Sequence, residues 1–277
     1  MRARLITTIF LWFLIAVTLW LGGLIGGQIL LLLAALGVLH EIISLVKKLK
    51  ITLNEPALLI SLFLILAGHF WHPVFLNASI GTSLALIITL LAHWRMDPRS
   101  LPVALGSLIV VSLGLGSLNA IATLPLRIPA GIPSGNSDLQ SWHALGSILQ
   151  AVWVIGVIKL SDAGAYLLGT HFGRQKLIPA ISPGKTVEGF AGAILCGLII
   201  GVMGAPLFPE PYFAPCLAAV LALVGAIGDL LASWLKRAAK VKDSSRMIPG
   251  IGGLLDLCDS LLLAAPVAYL AIRFWVQ

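Results

Sequence analysis

The sequence predicts an all-α fold, a polytopic integral membrane helix bundle with about nine transmembrane helices, and three observations carry that expectation. The 277-residue chain is 59% hydrophobic and only 10% charged, with a mean hydropathy of +1.03, well beyond a soluble domain of ordinary composition. Its apolar runs are long and do not alternate, as helices require and barrel strands do not. Nearly every cation falls in alternate loops, the pattern that sets membrane orientation.

Taking about 20 apolar residues per crossing, the spans fall near 5–21, 24–45, 54–70, 74–94, 101–124, 143–168, 187–207, 214–235 and 253–274. The first follows Arg2 and Arg4 and precedes more apolar segments, so it reads as a span and not a cleaved signal. The third is short. With a cytoplasmic N-terminus, the even loops carry Lys47, Lys48 and Lys50, then Arg95 and Arg99, then Arg174, Lys176 and Lys185, then Lys236, Arg237, Lys240, Lys242 and Arg246. The opposite side has only Arg127, plus Arg273 near the C-terminus, so the basic loops belong on the cytoplasmic face.

The net charge of +7 is therefore a property of one surface, suited to anionic lipid headgroups. Nucleic acid is excluded as a partner because no stacking or groove-reading module accompanies the charge. Cys196, Cys216 and Cys258 lie in or beside apolar stretches without metal-ligand or disulfide spacing, and read as small buried hydrophobes. The Pro-, Gly- and Ser-rich connector from Pro125 to Trp142 divides the chain. Residues 1–140 read as scaffold or lipid-facing helices, and 141–277 as the catalytic region, because there charges enter the helices themselves.

A charged side chain in a spanning helix costs several kcal/mol and normally faces a bundle interior or a wet cavity. Lys159 and Asp162 share a helical face at i, i+3, as an internal ion pair or a functional one. In "ISPGKTVEGFAG", Pro183 and Gly184 suggest a turn that presents Lys185 just before a helix starting at Thr186 and Glu188, an arrangement that favours phosphate. The spacing is not that of a P-loop. Asp229, Ser233 and Lys236 follow one another at i, i+4 and i+7 on one face of the eighth span. After the basic loop, a Pro-Gly-x-Gly-Gly turn precedes Asp256 and Asp259, which also share a face. Antiparallel eighth and ninth helices place Asp229 opposite Asp256, and carboxylates so close would repel unless a hard cation such as Mg²⁺ held them. Carboxylates for metal beside lysines and arginines for phosphate suit phosphoryl or nucleotidyl transfer.

The stretch "SWLKRAAKVKDSSRMIPGIGGLLDLCDS" resembles the signature of the phosphatidate cytidylyltransferase (CDP-diacylglycerol synthase) family: Ser-x-x-Lys-Arg-x4-Lys-Asp, then Pro-Gly-His-Gly-Gly, then Asp-Arg-x-Asp. "SDAGAYLLG" and "SPGKTVEGFAG" look like that family's other motifs, in the same order, and the likeness covers about residues 150–270. Three positions depart from the pattern: Ala232 stands for Glu, Ile251 for His and Leu257 for Arg. The resemblance implies that CTP and phosphatidic acid give CDP-diacylglycerol and pyrophosphate, with Mg²⁺ as cofactor, membrane lipids as surroundings and the cytoplasmic face of a bacterial-type inner membrane as location. Matched position by position, it implies Asp229, Asp256 and Lys185 as catalytic residues and Asp229, Asp256 and Asp259 as metal ligands. Substrate contacts fall to Asp162, Ser182, Lys185, Ser233, Lys236, Arg237, Lys242 and Asp243. A homodimer is left open. A transferase for another lipid phosphate, a degenerate family member, and a lipid transporter are the alternatives, although a transporter would show charged, broken helices in both halves.

Overall fold

The computed structural model describes residues 2–71, 78–94, 96–124, 137–179, 181–250 and 252–276. Arg95, Arg127, Ile251 and the first part of the connector, 125–136, lie outside the described residues. The helices are α1 (Arg2–Lys48), α2 (Glu55–Phe70), α3 (Ala78–His93), α4 (Ser100–Ala122), α5 (Ser137–Phe172), α6 (Val187–Met203), α7 (Phe213–Ala238) and α8 (Leu254–Val276). The all-α expectation needs one correction. Lys176–Ile178 (β1) and Ser182–Thr186 (β2) pair as a small antiparallel hairpin between α5 and α6.

The first two expected spans form one helical run broken at Gly23, whose backbone (φ 52, ψ −139) leaves the helical region. Among the described residues five helices are long and apolar enough to cross a membrane: the α1 stretch Thr7–Lys48, α4, the α5 stretch Leu145–Phe172, α7, and the α8 stretch Leu254–Trp275. The apolar stretches Glu55–Phe70, Ile80–His93 and Val187–Met203 are shorter. Large apolar side chains on the outside, such as Trp20 (83% exposed), Leu91 and Met203 (both 75%), are those of a protein solvated by hydrocarbon.

Two compact units share the chain, one built from 1–116 and 232–259, the other from 117–231 and 260–277. In the first, Leu39, Ile43, Leu58, Leu62 and Leu66 are fully buried. Asn54 caps α2 by accepting from the Ala57 amide (3.2 Å), with Pro56 in the first turn where its missing N–H matters least. Thr89 of α3 donates to Ser61 of α2 (3.0 Å), and Ser61 to the Ala85 carbonyl (3.1 Å), so that buried hydroxyls join the two helices.

In the second unit α5 packs on α6 through small residues. A Cβ placed on Gly192 would lie 2.7 Å from Leu168 Cδ1 and 2.9 Å from the Gly164 carbonyl oxygen, and one placed on Gly164 would overlap Cys196. Both approaches need glycine, as in other close membrane helix pairs. Gly192→Leu is expected to force the helices apart and lower stability by about 1–3 kcal/mol, the usual penalty of overpacking. Thermal unfolding in detergent at an unchanged apparent mass checks this, and an unaltered melting temperature contradicts it. Trp153 donates to the Ile200 carbonyl (3.1 Å) and Gln150 to that of Leu207 (2.8 Å), tying α5 to the end of α6.

The cysteine expectation holds only for Cys258, which is buried; Cys196 is intermediate and Cys216 exposed on α7, all three as free thiols. An apolar thiol facing hydrocarbon needs no burial by protein.

Candidate active site

In the first unit the charge gathers where α7 ends and α8 begins. Lys236, in the last turn of α7, sends its ammonium 2.6 Å from Asp256 Oδ1 and 3.9 Å from Asp259 Oδ2. These side chains are nearly buried, at 9% exposure for the lysine and 8% for each aspartate. Such a pair is viable only when its remaining lone pairs are satisfied. For Asp256 they are: Oδ2 accepts from the Ser244 amide (2.9 Å), the Gly253 amide (2.9 Å) and lies 2.8 Å from Ser244 Oγ.

The Pro-Gly-x-Gly-Gly turn makes that enclosure possible. Ile248 and Gly252 exchange backbone hydrogen bonds (2.8 and 3.0 Å), while Gly250 (φ 79) and Gly252 (φ 121) take conformations that side chains disfavour. A Cβ on Gly252 would also stand 2.5 Å from Asp256 Oδ2. The turn therefore wraps the carboxylate closely because it carries no side chains there.

Around this core the basic loop is open. Arg237, Lys240, Lys242, Asp243 and Arg246 are exposed, and Arg237 donates to the Val241 carbonyl (3.2 Å), which folds the loop back on the end of α7. Ser233, half-buried on α7, lies one turn before Lys236. Ala232 and Leu257 are both partly buried, while Ile251 lies outside the described residues.

In the second unit Lys185 meets Asp229, with Nζ 2.8 Å from Oδ2 and side chains 25% and 32% exposed. Nζ also donates to the Ala226 carbonyl (3.5 Å) one turn earlier on α7. Here the expected local structure changes. Pro183 and Gly184 lie within strand β2, and the reversal comes earlier, where the Ile181 amide donates to the Ile178 carbonyl (3.2 Å). Proline and glycine are tolerated because β2 has a single partner strand and an irregular register. Thr186, paired with Lys176, then caps α6 by accepting from the Gly189 amide (3.1 Å), so Lys185 is held between a strand pair and a helix cap. Ser182 sits opposite Ile178 at the other end of the hairpin.

Asp162 accepts from Lys159 (3.3 Å), as its spacing predicts, and also from Ser260 of α8 (3.0 Å). The sequence-based sites thus fall into two sets, Lys236 with Asp256 and Asp259, and Lys185 with Asp229. Each acid has a lysine beside it. Among the described residues no three His, Cys, Asp or Glu side chains converge on a point that could hold a metal ion.

One acid escaped the sequence reading. Glu41, near the end of α1 and 2% exposed, accepts from Ser244 Oγ (2.6 Å), Ser245 Oγ (2.7 Å) and the amides of Leu254 (3.0 Å) and Leu255 (2.8 Å). The signal was present: a lone carboxylate in an apolar run is a functional candidate by the same rule that singled out Asp162.

The fold and these pairs define a class, integral membrane proteins of apolar helices that present carboxylates and ammonium groups at helix ends and on a hairpin. The chain belongs to the Cytidylyltransferase family, whose model matches residues 2–275. It is 44% identical over 122 residues to the phosphatidate cytidylyltransferase of Bacillus subtilis, covering 43% of this chain and 45% of that one. Against the phosphatidate cytidylyltransferase of Staphylococcus epidermidis it is 41% identical over 114 residues, 40% of this chain and 44% of the relative. With the "Uncharacterized protein YnbB" of Escherichia coli it shares 38% identity over 138 residues, 49% of this chain and 46% of that protein. The chain thus spans less than half the length of each of these relatives in the matched stretch.

Proposed function

We propose that the protein is a CTP:phosphatidate cytidylyltransferase that converts CTP and phosphatidic acid to CDP-diacylglycerol and pyrophosphate. The observation that carries this reading is the buried Lys236–Asp256 pair inside a glycine turn (2.6 Å), set in a chain of the Cytidylyltransferase family. The reading includes about nine membrane crossings, a cytoplasmic N-terminus and a site at the cytoplasmic face, the orientation being supported by the segregation of the basic loops.

In the reaction a phosphate oxygen of the lipid forms a bond to the α-phosphorus of CTP while the bond from that phosphorus to the β-phosphate's bridging oxygen breaks. The lipid phosphate is already largely ionised near neutral pH, since its second pKa is about 6. No strong general base is needed, and the protein's contribution is to orient two anions and offset their charge. Lys185 of the second unit and the exposed Arg237 and Lys242 of the first are the cations proposed for phosphate oxygens, and Lys236 fixes Asp256. Ser182, Ser233, Asp162 and Asp243 are the further residues proposed to contact substrate.

Mg²⁺ is proposed on the hardness of the available oxygens, and an aspartate that took it would exchange the lysine it now faces for the ion. Asp229, Asp256 and Asp259 offer hard carboxylate oxygens, and Mg²⁺ usually takes one or two of these and completes its shell with phosphate and water. When bound, the ion supplies charge neutralisation for the triphosphate.

Purified protein incubated with radiolabelled CTP, phosphatidic acid and Mg²⁺ is expected to form labelled CDP-diacylglycerol, and to lose that activity on chelation. Label appearing only with a polyprenyl or archaeal-type lipid phosphate would redirect the substrate assignment. No labelled lipid from any phosphate would overturn the enzymatic reading.

A further inference from the structure

We infer that Glu41 is a positioning residue for the proposed transfer site: it anchors the start of α8 and the Ser244–Ser245 segment, and through them sets the place of Asp256. The inference rests on the cytidylyltransferase reading for its effect on turnover, but not for the anchoring itself.

Glu41 is a buried carboxylate whose partners are all donors. Oε1 takes Ser245 Oγ (2.7 Å) and the Leu254 amide (3.0 Å), and Oε2 takes Ser244 Oγ (2.6 Å) and the Leu255 amide (2.8 Å). Leu254 and Leu255 open α8, so two of the amides left unpaired at a helix start end on this side chain, where a negative charge is also favoured by the helix dipole. Asp256 follows directly. Two of its own three Oδ2 contacts come from Ser244, the residue that Glu41 grips by its hydroxyl. That hydroxyl has one hydrogen for two carboxylates. Donating it to Glu41 still leaves Asp256 Oδ2 two backbone amides, so both acids are satisfied at once.

The surroundings are shaped for this contact. A Cβ on Gly253 would collide with both Ser244 Oγ and the Glu41 carboxylate, and a Cβ on Gly37, one turn before Glu41 on the same face of α1, would collide with Leu254 Cδ1. Glycines at both positions let the first turn of α8 settle on α1.

Only a carboxylate meets the requirement. Each oxygen of Glu41 faces one backbone amide, so a glutamine, in either orientation, turns its own N–H₂ toward an N–H. Glu41→Gln is therefore expected to release the segment although it preserves size. Second-sphere changes of this kind typically cost about 10- to 100-fold in activity. The loss should fall on kcat through Asp256, with a smaller rise in KM for CTP, because Ser244 and Ser245 belong to the same loop as Lys242 and Arg246. Glu41→Asp, which keeps the charge, should recover part of it.

The test uses the full chain in nanodiscs and compares wild type, Glu41→Gln, Glu41→Asp and Ser245→Ala, with Glu210→Gln as the control, an exposed acid of the second unit. Hydrogen exchange over residues 252–256 is expected to quicken in Glu41→Gln and, to a lesser degree, in Ser245→Ala, and to match wild type in Glu210→Gln. Turnover should follow the same order, and Glu41→Gln should add little to the loss already caused by Asp256→Asn, since both act at one point. If Glu41→Gln does not fold, Glu41→Asp and Ser245→Ala carry the same comparison. Wild-type exchange in folded anchor variants, or undiminished turnover in Glu41→Gln, overturns the inference. A wild-type chain that makes no CDP-lipid overturns the proposed activity alone, and the exchange result still decides the anchor.

Discussion

Asp256→Asn is expected to lower CDP-diacylglycerol formation by about 10²-fold or more, the scale on which loss of one preorganised charge acts on a transfer reaction. The geometry makes the substitution severe despite its small size. One oxygen faces the Lys236 ammonium at 2.6 Å and the other faces the amides of Ser244 and Gly253 at 2.9 Å each. Asparagine must point its N–H₂ at one of these donors. Lys236 is then left with Asp259 at 3.9 Å as its remaining acid within ion-pair reach among the described contacts. Removing one member of a buried pair usually destabilises by about 3–5 kcal/mol, so stability must be read separately from rate. A Lys236→Met, Asp256→Asn double variant separates them: it should regain part of the melting temperature and none of the turnover. Near-normal turnover in folded Asp256→Asn would remove this residue from the site.

Lys185→Ala should reduce kcat/KM for CTP by about 10- to 100-fold, the worth of one charge-assisted hydrogen bond, with a smaller effect on phosphatidic acid. Its ammonium is partly exposed, 2.8 Å from Asp229, and rises from a strand whose next residue caps α6. A phosphate can therefore reach it without rearrangement of the backbone. Asp229→Asn, which leaves the lysine in place, should retain more of the nucleotide affinity than Lys185→Ala. Steady-state kinetics with each substrate varied in turn decides the matter, and a loss confined to the lipid would contradict the assignment.

Much of this was legible in the sequence because hydrocarbon imposes simple rules. Apolar run length gave the helices, and the expected boundary between residues 21 and 24 falls on the break at Gly23. Lys159 and Asp162 met as their spacing requires. Which lysine would pair with which acid was not legible, since Lys185 with Asp229 and Lys236 with Asp256 are 44 and 20 residues apart and spacing rules reach only one or two helical turns. The hairpin was hidden for another reason. "SPGKT" has the composition of a turn, and it forms a strand because Lys176–Ile178 supplies the partner. Glu41 was passed over because the C-terminal half monopolised the obvious motifs, and its partners, Ser244 and Ser245, lie 203 and 204 residues away.

The break at Gly23 divides α1 into parts with different obligations. Before it, Ile9, Phe10, Phe13, Trp20 and Leu21 are exposed; after it Ile25, Ile29 and Leu33 still are, and from Ala35 onward Ala35, Val38, Leu39 and Ile43 are fully buried, with Glu41 among them. A continuous helix of this length would answer a change in bilayer thickness by tilting as a rod. With the helical backbone interrupted, the first portion takes its own direction, and Thr7 on it donates to the Pro249 carbonyl of the glycine turn (2.8 Å). A change in thickness that tilted the first 22 residues would then reach the glycine turn directly through Thr7, and not only along the helix that carries the carboxylate at position 41.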